Sequence, residues 1–483
     1  MPTDKPAISC TYNGQIMKLL RKITGYSLAL SPIPAVTTSR RERLLSIIQY
    51  ANDTTPFYKG VFDAFLNAAP DLTDEEFFYA FGHLPIAEKH HLKEQNEAFK
   101  ADTLKNKVDI LAAEKQPTAK DFLNHFVIKK DFFTSLSTGG SSGVPTFRYV
   151  DYEDSNIFAQ SFLQSFKHNG WKEGESFVVF YPLKSYFTGT YAKHAKTLQN
   201  FFGFTMVPFE ELSKEKVEEL LSTLKKTKST LLVIFPCVLQ RIAQIMHDEG
   251  LPPCEDLPCI NVSGEFFLDC SKAFIQKMFP DSDIQSTYGA VEFGEIAHQK
   301  GLSSFDYDVF DDYAYVEQGP RNSILVTTYH QKAFPLIRYK IEDMGRVITN
   351  EDGSQSIHCL EGKNTDYLIG ADNYLYYASF FNNFVNEVNK ALNDPIIHFM
   401  LRHSEQNDEK YMQLNFILDK PEKQDKIEKA VKETLHKVFS NYTHIDVQFP
   451  EYFEHDYTRK FKIIGEGDGM AEVVGGYYQK KAS

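Results

Sequence analysis

The sequence predicts an α/β protein with a large N-terminal unit of mixed sheets and helices, residues 1–364, and a small α+β unit, residues 365–483. Three observations predict it. Short apolar runs bounded by Gly, Pro or polar clusters alternate from Phe177 onward with stretches at helical spacing, which is the pattern of an α/β layer. The last hundred or so residues change to two strand-like runs, a charged amphipathic helix and a further strand. At 483 residues the chain also exceeds one ordinary core.

Element by element, Arg41 to Tyr50 carries apolar residues at helical spacing, and Asp53-Thr54-Thr55-Pro56 ends it. Further helices are expected over Glu75 to Phe81 and His91 to Phe99. Buried strands are expected at 177–183, 230–236, 258–264 and 324–329, with helices at Lys214 to Leu224 and Val238 to Met246 between them. The border of the small unit falls in the Gly- and Asn-containing stretch 362–373. Beyond it, 396–402, 411–418 and 443–449 read as strands and Glu422 to Phe439 as a helix whose Lys/Glu face is solvated.

Composition narrows the function. Hydrophobic residues at 42% and charged residues at 24% are ordinary for a globular protein, while 40 Phe and 26 Tyr give much aromatic surface to bury or to line a pocket. A formal net charge of −13 argues against general affinity for nucleic acid or anionic membrane, since both require Lys and Arg to neutralise phosphates. Met1 to Pro6 lacks a basic head and an apolar stretch, and no window is long enough to span a bilayer, so the expected location is the cytoplasm, without membrane insertion. Six scattered cysteines read as reduced thiols. Cys254 and Cys259 could pair on a metal, but no second close pair completes the set.

Three segments carry chemistry. Ser137-Thr138-Gly139-Gly140-Ser141-Ser142-Gly143-Val144-Pro145 concentrates glycines and hydroxyls, so backbone N–H groups and hydroxyl donors can converge on an anion. It has no lysine and is not a P-loop; taken alone, such a loop is more often a surface turn. Ser286 to Gly294 contains Tyr288-Gly289, suited to a flat ring on a planar ligand with close backbone approach, and Glu292, an oxygen ligand suited to Mg²⁺. Pro335 to Val347 places Asp343 in a turn between apolar flanks, where a carboxylate could accept both ribose hydroxyls or pair with an arginine.

In this order the three segments resemble the adenylate-forming superfamily, and its phenylacetate–CoA ligase-like and acyl-protein synthetase branch in particular. Residues 138–145 are similar to its phosphate loop, 288–292 to its Tyr-Gly-x-Thr-Glu segment, 338–343 to its Arg-Tyr-x-Thr-Gly-Asp segment and Ser263-Gly264-Glu265 to its adenine-side Gly-Glu segment. Residues 47–62 and 84–94 resemble the N-terminal region of that branch. The resemblance implies that Thr138 to Gly143 cradle phosphates, that Gly264, Glu265, Tyr288 and Gly289 border the adenine, that Glu292 ligates Mg²⁺ and that Asp343 holds the ribose. It also implies a hinge at Lys363 and Asp366, and a catalytic lysine near the C-terminus, with Lys460 the first choice and Lys462 the second.

The implied reaction consumes ATP and a small-molecule carboxylic acid, aryl or fatty, to form an acyl-adenylate. The acyl group then passes to a thiol, coenzyme A first, or else to a carrier or acceptor protein as in acyl-protein synthetases, or to an amine. Tyr181, Tyr186 and Phe187, with Tyr191, are candidate pocket walls, and His194 and His298 candidate polar groups near the acid; each is as readily a structural residue. Val291, Ile341, Glu342, Lys363 and Arg459 depart from the superfamily's usual residues, which motivates a second class of function, a catalytically silent nucleotide-binding protein. The sequence leaves the oligomeric state open.

Overall fold

Five strands lie side by side as the parallel half of a 12-stranded sheet among the described residues; four are mainly apolar, as burial on both faces favours, and the fifth, Asp283–Ala290, carries Gln285, Ser286 and Thr287. The computed structural model describes residues 38–109, 124–125, 129–137, 147–182, 204–301, 305–363, 366–453, 455, 457 and 460–466. Within them α1 is Arg40–Thr54, β1 Phe132–Ser137, β2 Phe147–Asp151, α2 Tyr152–His168, β3 Phe177–Pro182, β4 Thr205–Phe209, α3 Lys214–Thr227, β5 Leu231–Ile234, α4 Pro236–Asp248, β6 Cys259–Ser263, α5 Asp269–Met278 and β7 Asp283–Ala290. The parallel order is β4-β3-β5-β6-β7, and α3, α4 and α5 form the crossovers. Val217, Leu220 and Leu224 of α3, with Val238, Ile242 and Met246 of α4, bury one face of that sheet.

From β7 the sheet turns antiparallel through β8 Gly294–Gln299, β9 Tyr307–Val309, β10 Ala314–Gln318, β11 Ser323–Thr328, β12 Tyr339–Thr349 and β13 Gln355–Lys363, in the order β7-β8-β9-β13-β12-β11-β10. Leu44, Ile47 and Ile48 of α1, with Phe62, Phe77 and Phe81, pack on this half. A capping box formed by Ser39 and Glu42 satisfies the first turn of α1. β1 and β2 belong to a separate small sheet, paired antiparallel with Ser137 opposite Phe147.

The C-terminal part comprises α6 Ala378–Leu392, β14 Ile396–Gln406, β15 Glu409–Leu418, α7 Gln424–Val438, β16 His444–Gln448 and β17 Ile464–Glu466. Its four-stranded sheet has the order β16-β15-β14-β17, and Phe381, Phe399, Ile427, Val431, Leu435 and Phe439 form its core. It also packs on the first part: Ile397, Met400, Ile417 and Phe453 share a core with α4 and α5. Polar ties sit beside that contact. Asp269 accepts from Asn382 and Asn386 at 2.8 Å each, Ser271 donates to the Ile397 carbonyl at 2.9 Å, and Lys277 pairs with Asp419 at 2.6 Å.

Two expectations are corrected. The run His91 to Phe99 is not one helix: Lys89–Glu94 ends at Gln95, and a 3₁₀ turn, Asn96–Phe99, follows. Asp343 is not in a turn but inside β12, where the register shifts between Met344 and Arg346; strand pairing on both sides overrides the local polar signal. Cys254 and Cys259 belong to no metal-capable group among the described residues. No helix among those residues is long and apolar enough to cross a membrane.

Met400 is fully buried where the C-terminal sheet meets α4 and α5. Met400→Ala is expected to cost about 2–5 kcal/mol, read from urea unfolding, and to raise amide exchange along β14 before exchange rises in β5 and β6.

Candidate active site

The parallel strands deliver the site. Phe235 follows β5, Gly264-Glu265 follows β6 and Val291-Glu292 follows β7, so three segments leave the carboxyl edge of adjacent strands, where ligands bind in open α/β sheets. Gly264 has φ +86°, which the turn into Glu265 requires. Gly289 is needed for a different reason. An added Cβ there would stand 2.7 Å from the Glu295 Cα and close on the Gly294 carbonyl, because β7 and β8 pair tightly at this point.

The turn carrying Glu292 is held from behind by Arg148, a fully buried residue of β2. Its guanidinium donates to the carbonyls of Val291 at 3.1 Å and Glu292 at 2.6 Å, and Gln331 donates to the latter at 3.2 Å. The Glu292 carboxylate accepts a long bond, 3.5 Å, from the Tyr339 hydroxyl, leaving lone pairs for a hard cation such as Mg²⁺. Arg148 also ties this acidic turn to β2, the strand that follows the glycine–serine segment. Thr138, Gly139, Gly140, Ser141, Ser142 and Gly143 themselves lie outside the described residues, as does the Ser137 side chain. Sequence reasoning missed Arg148; a charged residue inside the strand-like run Phe147-Arg148-Tyr149-Val150 was the available signal.

Tyr288 and Asp343 come together: the buried phenol donates to the Asp343 carboxylate at 3.0 Å. Burial, then the Asp343 charge, pushes the phenol well above its ordinary range. Opposite Asp343 in the β12–β13 register is Lys363, whose ammonium faces Glu342 at 3.7 Å. Burial and the nearby Lys89 lower the Lys363 pKa, and Lys460 contributes in the same direction.

Lys460 therefore stands within electrostatic reach of Lys363. It also acts on Glu295, opposite Gly289 in the β7–β8 register; burial pushes that carboxyl up to about 7, against the lowering effect of Thr287 and Lys460. The strand of chain around Lys460 is fixed by Glu265, whose carboxylate accepts from the Phe461 N–H at 2.6 Å and from the Cys237 N–H at 3.3 Å. That second bond caps the first turn of α4, which has no side-chain cap of its own. The two candidate lysines differ sharply. Lys462 is engaged by Asp366 at 3.0 Å, whereas Lys460 is exposed and makes no ion pair among the described residues.

The remaining candidates sit elsewhere or outside. Tyr181 is buried against Met206 on the parallel sheet. His298 stacks on His168 with ring centroids 3.2 Å apart and lines an open cleft of about 500 Å³ with Gln164 and Phe310. Burial, then His168, pushes the His298 pKa down to about 4. Tyr186, Phe187, Tyr191, His194 and Arg459 are outside the described residues.

No family model matches the sequence, and no curated protein does. Solved structures match its fold. A 2-hydroxyisobutyryl-CoA ligase in the postadenylation state, in complex with R3-HIB-AMP, has a TM-score of 0.62 at 14% identity over 88% of both chains. The AtGH3.15 acyl acid amido synthetase in complex with 2,4-DB has a TM-score of 0.58 at 13% identity, over 97% of this chain and 96% of that one. The same CoA ligase with 2-HIB-AMP and CoA in the thioesterification state scores 0.50 over 90% of this chain and 91% of that one, at 15% identity. The chain shares its fold with these ligases.

Glu295 gives a test of the site's electrostatics. Its folded pKa of about 7 lies above the ordinary 4.5, so between those values the native chain keeps a proton that the unfolded chain has lost. Stability from this group is complete below about pH 4.5 and falls as pH rises through 7. Glu295→Gln is expected to raise the thermal midpoint over wild type at pH 8, and the gain should vanish at pH 4.5.

Proposed function

We propose that this protein is an AMP-forming acid ligase that couples ATP and a carboxylic acid into an acyl-adenylate and passes the acyl group to an acceptor. The observation that carries the reading is the Tyr288–Asp343 bond and the Glu292 turn at the carboxyl end of β7, with the Phe461 N–H beside Lys460 bonded to Glu265 at the end of β6. In this reading the Asp343 carboxylate accepts from the ribose hydroxyls while Tyr288 fixes its orientation. Gly264, with its positive φ, lets the backbone approach the adenine.

Glu292 would hold Mg²⁺, which when bound supplies positive charge to the phosphate oxygens. The substrate carboxylate and the α-phosphoryl group are both anionic, and their approach is opposed in a protein of net charge −13. The Lys460 ammonium offsets that repulsion as negative charge grows on the transferring oxygens. The glycine–serine segment, residues 138–143, would add neutral donors. Residues from about 365 onward act as the closing unit that brings Lys460 in and keeps water from the adenylate, with Lys363 and Asp366 at its hinge. The Lys462–Asp366 pair would be part of that hinge.

The acceptor is a thiol, with coenzyme A the first candidate, in keeping with the likeness to the CoA ligase. A second reading, transfer to an amine, has its own support: the likeness to the amido synthetase extends over more of both chains.

Pyrophosphate release with a panel of aryl and fatty acids tests the first step. Release with at least one acid is expected, reduced about 10²–10³-fold by Lys460→Ala and less than about tenfold by Lys462→Ala. Folded protein that binds ATP by calorimetry yet releases no pyrophosphate with any acid, and is indifferent to Lys460→Ala, would leave only a silent nucleotide-binding protein. Mass spectrometry of the acylated product, with coenzyme A and amino acids supplied in competition, separates the two acceptors.

A further inference from the structure

Cys237, Glu265 and His455 come from three separate parts of the chain, yet one ligand atom of each lies within 4.8 Å of the other two. Cys237 is in the first turn of α4, Glu265 follows β6, and His455 stands five residues before Lys460. The acid-activating chemistry described above uses neither the thiol nor the imidazole. The Cys237 side chain is buried, and burial, then the adjoining Glu265 carboxylate, holds its thiol well above its ordinary range. Glu265 has backbone N–H partners but no ion pair among the described residues, so no side-chain cation neutralises it there.

A second imidazole lies behind the first. His398 of β14 is 5% exposed, and its Nδ1 has no hydrogen-bond partner. Both His398 and His455 pack on the Phe461 ring, at centroid distances of 4.8 and 5.5 Å. The corner between α4, the end of β6 and the segment leading to Lys460 thus holds sulfur, oxygen and nitrogen donors together.

We propose that Cys237, Glu265 and His455 form a binding site for a divalent cation of the zinc class, which fastens the Lys460 segment to the parallel-sheet body. Sulfur, imidazole and carboxylate donors together suit a borderline-soft ion and not a hard one such as Mg²⁺. On binding, the Cys237 thiol loses its proton to solvent, and the thiolate and carboxylate charges balance those of the ion. Water completes a four-coordinate shell. The fastening joins segments about 200 residues apart in sequence, the same span that Glu265 already bridges through the Phe461 N–H. Occupancy sets how readily the Lys460 segment leaves the body.

Titrating chelator-stripped, full-length protein with Co²⁺ tests the site without reference to any reaction, so its outcome is separate from that of the acid-activation assay. Binding of one ion per chain is expected, with a thiolate-to-cobalt charge-transfer band that Zn²⁺ displaces. Cys237→Ser should abolish the band, His455→Ala should weaken affinity by at least about tenfold, and Cys259→Ser should change neither. Zn²⁺ should also raise hydrogen-exchange protection over residues 460–463. Circular dichroism confirms that each variant is folded; His455→Ala, at a half-buried side chain, is the variant least able to disturb the core. Absence of the band, its survival in Cys237→Ser, or unchanged affinity in His455→Ala would each overturn the proposal.

Discussion

The buried Arg148 guanidinium, donating to the carbonyls of Val291 and Glu292, is the contact on which the site's geometry depends. A cation removed from water must be surrounded by acceptors, and here the acceptors are the backbone of the turn that carries the metal-suited carboxylate. The bond therefore joins the sheet that follows the glycine–serine segment to the sheet that presents Tyr288 and Glu292. Phe158 lies under the same guanidinium at 5.0 Å and closes it off from solvent. Both bonds leave one guanidinium nitrogen, Nη1, so a single terminal group holds two successive carbonyls.

Charge around the site is graded by depth. Lys89, Lys363 and Glu342 form a partly buried group beside Asp343, and Lys460 lies exposed at its edge. On Glu342, burial raises the pKa, but the hydrogen bond and charge of Lys89 outweigh it and leave the carboxyl below its ordinary value. The departures from the superfamily's usual residues thus make a coherent local set: Glu342, where that family has glycine, is the partner of Lys89 and Lys363. An anionic ligand meets ammonium groups there that are already balanced, with Lys460 left over.

Much of the fold was legible because its cause is local. The parallel strands announce themselves by apolar runs, and α3, α4 and α7 by helical spacing; their observed limits differ by a few residues. The antiparallel half was harder to read. β12 and β13 mix Lys, Glu, Asp and Arg with apolar residues, and only pairing across the sheet makes Tyr339–Thr349 a strand. Tyr288, Asp343, Glu292 and Lys460, with Lys460 ahead of Lys462, could be named from motifs, but the Lys462–Asp366 contact at 3.0 Å joins residues too far apart in sequence to be read there. Glu265 was read as an adenine-side residue, while its tie to the Phe461 N–H joins residues 196 apart and leaves no trace in spacing.

The apolar seam between the C-terminal sheet and α4 and α5 has a thermal consequence. Swinging that sheet away would wet Ile397, Met400, Ile417 and Phe453, and hydrating such surface increases heat capacity. The balance between docked and swung-out forms would then curve with temperature instead of following a straight van't Hoff line. Cooling would loosen the seam, so the docking of that sheet would respond to temperature through these side chains.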